Sequence, residues 1–176
     1  MFYHILRSED DIKKLTAWWY SLDDNRGERA ILRRAETAED VLLTPAFTSF
    51  LKIMPDSWCD QQRLFDSAMV AGLLVRVKEN NTEMPFARAL ASPKKGGSKA
   101  AMSELRFQQL QKSHDPDEFF RRVSRAIDLL NGTVNIPSLA DGILHWLQEY
   151  RHCIDKIPSK RLAVCWAIDY YTHLKD

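Results

Sequence analysis

Apolar residues recur at spacings of three and four along almost the whole chain, while alternating runs rich in Val, Ile and Thr are nearly absent. That period belongs to helices packed on one side, so the expected fold class is all-α. The spacing predicts helices near 9–22, 26–36, 45–54, 59–77, 85–91, 101–112, 116–131, 137–151 and 159–175. Start signals agree with several of these. Ser8 precedes the acidic turn Glu9-Asp10-Asp11, Asp115 precedes Pro116, and Pro45, Pro137 and Pro158 stand where helices should begin. Asn131-Gly132 provides a stop, because glycine reaches the left-handed conformation of a helix C-cap.

Two segments break the amphipathic pattern. From Asp66 to Val77 the sequence is apolar nearly all round, which predicts a buried helix. Ser92 to Lys99 is short, basic and glycine-containing, and is expected to be a flexible loop joining an N-terminal helical lobe (1–97) to a C-terminal helical bundle (98–176). Trp18, Trp146 and Trp166 recur with Leu15, Leu22, Ile143, Leu147 and Leu162 at helical spacing, so they are expected in the core rather than on a base-stacking surface.

Composition narrows the function class. The chain has 176 residues, 45% of them hydrophobic, with 25 Lys and Arg against 24 Asp and Glu. A balanced total argues against indiscriminate coating of a polyanion. The distribution is polarised, however. Residues 1–24 are net acidic, whereas 84–125 hold nine basic groups against four acidic ones. Cys59, Cys153 and Cys165 form no CxxC pair, which fits a reducing, cytoplasmic setting. The longest apolar run, Ala68–Val75, is far below the roughly 20 residues needed to span a bilayer, so a soluble protein without membrane association is expected.

The candidate chemistry is cationic. Arg26, Arg29 and Arg33 share one helical stripe, and Arg34 follows. In the segment 116–131, Phe119, Val123, Ala126, Ile127 and Leu130 fall on one side, while Arg121, Arg122 and Arg125 lie within about a 100° arc on the other. Arg88, Lys94, Lys95, Lys99, Arg106 and Lys112 lie in the same basic stretch. Guanidinium pairs with phosphate bidentately and stays charged at any working pH, so clustered arginines suit backbone recognition. The alternatives are a solvated face or pairing with carboxylates such as Asp23, Asp24 and Glu36. No HExxH, Gly-rich phosphate loop or GxSxG occurs, and His145, His152 and Cys153 match no zinc spacing. Neither enzymatic activity, nor a metal, nor a cofactor is expected.

Six blocks together carry a resemblance: Trp18-Trp19, Arg26-Gly27-x-Arg29-Ala30-x-Leu32-Arg33-Arg34-Ala35, Pro45-Ala46-Phe47, Phe86-Ala87-Arg88-Ala89-Leu90, Arg106-Phe107-x-x-Leu110 and Trp166-Ala167-x-Asp169-Tyr170-Tyr171. In this order they resemble the CasB small-subunit family of the type I-E CRISPR Cascade surveillance complex. The chain departs from the pattern at Ala87, where members often carry glycine, and at Ile136-Pro137, where many show Asp-Trp. The resemblance implies a helical, non-catalytic subunit of two lobes, present as a head-to-tail pair of copies beside other Cascade subunits. It also implies basic surfaces that hold the guide RNA–target DNA heteroduplex and the displaced strand. The matching positions here are Arg33, Arg34, Arg88, Arg106, Arg121 and Arg122. An architectural adaptor, with basic surfaces meeting acidic partner subunits, is the competing expectation.

Overall fold

The computed structural model describes residues 3–94 and 96–174. Among these, eleven α-helices follow in chain order: α1 (Glu9–Ser21), α2 (Arg26–Arg34), α3 (Ala38–Leu42), α4 (Pro45–Ile53), α5 (Asp56–Cys59), α6 (Leu64–Leu74), α7 (Phe86–Ala91), α8 (Glu104–Gln111), α9 (Pro116–Leu129), α10 (Ile136–Tyr150) and α11 (Leu162–His173). Two short strands, β1 (Glu79–Asn80) and β2 (Thr133–Val134), and a 3₁₀ turn at Pro158–Lys160 complete the order. The expected all-α class holds.

Local chemistry explains the starts. Ser8, Thr37, Thr44, Asp115 and Asn135 each accept a backbone N–H from the first turn that follows, which satisfies a donor the helix cannot satisfy itself. At the end of α9 the Gly132 N–H reaches the Ile127 carbonyl (2.9 Å) and the Asn131 N–H reaches that of Asp128 (2.9 Å). Asn131 and Gly132 both sit at positive φ, 55° and 81°, so the pair closes the helix in a Schellman arrangement.

Several boundaries differ from the expected ones. The helix expected over 59–77 is two helices, α5 and α6, separated by a turn at Asp60–Arg63 where the Arg63 N–H bonds back to the Asp60 carbonyl. The helix expected from 101 begins at Glu104, because the Ala101 and Met102 N–H groups are taken by the carbonyls of Ser92 and Leu90 (both 3.0 Å). The last helix begins at Leu162 after the 3₁₀ turn, and its expected end at residue 175 lies outside the described residues. α3 had no periodic signal; five residues are too few to show one.

The apolar helix α6 is the centre of the core, with Ser67 to Leu74 all buried. It packs against α3, α9 and α10. The approach to α9 depends on Gly72, where a Cβ would stand 2.7 Å from Val41 Cγ2 and 3.0 Å from Phe120 Cε2. All five tryptophans are buried, as expected for Trp18, Trp146 and Trp166.

The apolar core is shared by residues from both sides of position 97, with α7 packed on α11 and α10 on α6. β1 pairs in parallel with β2, Glu79 opposite Thr133 and Asn80 opposite Val134, and the Asn80 carboxamide oxygen accepts the Ile136 N–H (3.0 Å). A second tie holds the N-terminal segment. The buried Asp141 carboxylate on α10 accepts the N–H groups of His4 (3.0 Å), Ile5 (2.7 Å) and Leu6 (2.8 Å).

Candidate nucleic-acid interface

The amphipathic pattern of α9 sets where its cations stand. Phe119, Phe120, Val123, Ala126 and Ile127 are buried, and Phe119 stacks on Trp146 with ring centres 4.3 Å apart. The helix therefore has one rotation open to it, which leaves Arg121 and Arg125 exposed. α8 is oriented in the same way. Phe107 stacks on Tyr170 at 4.0 Å, and the Tyr170 hydroxyl donates to the Met102 carbonyl (2.6 Å), so neighbouring Arg106 faces solvent.

Between α8 and α9 runs a groove of about 500 Å³ lined by Met102, Arg106, Gln109, Leu110, Arg122, Arg125, Asp128 and Leu129. Arg122 is a wall of this groove rather than a free cation. One of its terminal nitrogens pairs with Glu118 (2.7 Å), and the other donates to the Gln109 carbonyl and lies 3.4 Å from the Ser113 hydroxyl. The guanidinium thus ties the start of α9 to the end of α8. Arg106 and Arg125 are the exposed cations of the groove.

The α2 arginines divide. Arg26, Arg33 and Arg34 are exposed. Arg29 is half-buried, pairs with Asp23 at 3.2 Å and lies 6.0 Å from the centre of the Trp19 ring, with Nε and one terminal nitrogen buried. The carboxylate alternative weighed for this helix thus applies to Arg29, through Asp23.

Arg76 was not singled out in the sequence. Its guanidinium donates to the carbonyls of Arg33 (3.0 Å) and Ala35, and its carbon lies 5.4 Å from the centre of the Phe120 ring. Burial lowers its pKa from the ordinary arginine value; Asp128 opposes that, Arg33 adds to it, and Glu36 opposes it again. Arg76 therefore feels both the end of α2 and Asp128 of the groove. Its only signal in the sequence was a lone charge directly after an apolar run.

The remaining candidates are more dispersed. Arg88 is half-buried on α7 with its Nε buried. Lys94 and Lys99 are exposed in the loop between α7 and α8, Lys112 is exposed at the C-cap of α8, and Lys95 lies outside the described residues. Among the described residues, no group of three or more His, Cys, Asp or Glu is placed to hold a metal ion, and no helix is long and apolar enough to cross a membrane.

Comparisons with curated proteins and with solved structures give no match. The family model of CRISPR-associated protein Cse2 matches residues 28–171, a span that contains α3 through α10 whole, the last seven residues of α2, the groove, and most of α11. The chain belongs to the Cse2 family, the CasB small subunits of type I-E CRISPR Cascade.

Proposed function

We propose that this Cascade subunit grips nucleic-acid backbone without catalysis, stabilising the guide RNA–target DNA heteroduplex and the displaced strand. The observation that carries the reading is the α8–α9 groove, where the exposed Arg106 and Arg125 come from two helices to one site, with the paired Arg122 in its wall. Arg76 extends it in the direction of Arg33 and Arg34, while Arg121 is exposed on the same helix as Arg125. Exchange of a DNA duplex for an RNA–DNA heteroduplex is nearly balanced in free energy, so a few phosphate contacts are enough to tip it. Such contacts need no base readout, because the guide supplies sequence. In the same reading the subunit works in the cytoplasm, beside a second copy of itself and the other Cascade subunits.

The test is charge reversal, Arg121→Glu or Arg33→Glu, in a reconstituted complex. The expected result is intact assembly by native mass measurement together with weaker target binding. Loss of assembly before DNA is added would instead support the adaptor reading, in which these arginines meet acidic partner subunits.

A further inference from the structure

The α8–α9 groove has three chemistries in one place: guanidinium groups (Arg106, Arg125), an apolar lining (Met102, Leu110, Leu129) and a single carboxylate, Asp128. A site for phosphate alone has no use for the last two. An apolar surface gains nothing from a polyanion, and Asp128 repels phosphate from the interior. The volume, about 500 Å³, falls within the roughly 300 to 1,000 Å³ of small-molecule sites. Both terminal nitrogens of Arg122 are engaged by Glu118, Gln109 and Ser113, so it fixes the wall and leaves Arg106 and Arg125 as the exposed cations.

We propose that this groove takes one unpaired nucleotide of a single strand, its base laid on the half-buried Leu129, with the buried Met102 and Leu110 beneath, and its flanking phosphates held by Arg106 and Arg125. The inference rests on the backbone-gripping reading and refines it: at this site the ligand is single-stranded, because a paired base would have to break its pair and its stack to enter, a cost a single strand avoids. The apolar lining accepts any base by its face, so the site adds affinity without reading sequence.

The test uses the full chain and two short DNA strands of equal length and phosphate number, one normal and one with every base removed. Binding is followed by fluorescence anisotropy, and both strands are measured again with Leu129→Lys, which fills the groove while adding a cation. The abasic strand is expected to bind the wild type about fivefold more weakly, the effect of one lost apolar contact, and the difference is expected to vanish in Leu129→Lys. Equal binding of both strands by the wild type overturns the base site and leaves the backbone grip standing. A fivefold difference that persists in Leu129→Lys places the base elsewhere and overturns the groove assignment. Binding of neither strand overturns the backbone grip itself, and this inference with it. The strand comparison in the wild type decides the matter even if the variant does not fold.

Discussion

The guanidinium carbon of Arg76 lies 5.4 Å from the centre of the Phe120 ring, which places a cation from the end of α6 against α9. The same group donates to the carbonyls of Arg33 and Ala35, which the end of α2 leaves without helical partners. One side chain thus joins three helices. Arg76→Ala is expected to cost about 2 kcal/mol, because the exposed Arg33 carbonyl and the partly buried Ala35 carbonyl lose a charged donor, and urea unfolding measures it. Arg76→Lys keeps the charge but not the fork, so an intermediate loss is expected.

Helix α9 is held at its distance from α6 by Gly72. An added Cβ at that position meets Val41 and Phe120 below ordinary contact distance. Alanine gains about 1 kcal/mol of helix propensity over glycine, but both neighbours are buried in the core and cannot yield cheaply. Gly72→Ala is therefore expected to be net destabilising by about 1 to 2 kcal/mol in thermal or urea unfolding.

The Asp141 carboxylate is a clamp on the N-terminal segment through three backbone N–H groups. Asp141→Ala leaves these donors without their acceptor and is expected to lose about 3 kcal/mol. Amide hydrogen exchange should then show His4, Ile5 and Leu6 released before the rest of the fold.

His145 makes stability depend on pH. It is 4% exposed, its Nε2 lies 3.0 Å from Glu149, and its ring is 5.2 Å from that of His4. Burial lowers its pKa from the ordinary 6.5; Glu149 and Asp141 oppose this by charge, and His4 adds to it. The buried Nδ1 has no partner among the described residues, so a second N–H there would go unsatisfied. As pH falls through about 6.5 the unfolded chain takes up the proton first, so stability is complete above that value and declines on acidification. Urea midpoints measured at about pH 7.5 and 5.5 should fall with acidity in the wild type, and fall less in His145→Gln.

Much of this molecule is written in local pattern. The rotation of α9, the burial of α6 and the starts at Ser8, Thr44-Pro45 and Asp115-Pro116 follow from spacing and capping chemistry alone. What the pattern concealed is non-local. Nothing near Asp141 indicates that its acceptors face residues 4 to 6, and nothing near Arg76 shows that α2 ends above it. The division of 59–77 was hidden because the turn Asp60-Gln61-Gln62-Arg63 holds no proline or glycine to mark a break. In the candidate site, the arginine types were legible, but which of them remain exposed was not. Glu118 stands four residues before Arg122 and Asp23 was a visible candidate for the α2 arginines, but only folding brings the Gln109 carbonyl of α8 to Arg122 and selects Arg29 rather than Arg33 for Asp23.

The salt dependence of target binding tests the phosphate-gripping role most directly. Each phosphate contact releases condensed counterions, so the slope of log K against log salt reports their number. In a reconstituted complex, Arg106→Gln with Arg125→Gln is expected to weaken binding and flatten that slope by about 1 to 2, while Arg29→Gln leaves it unchanged. A slope identical to the wild type in the double variant, at every salt concentration, contradicts the account.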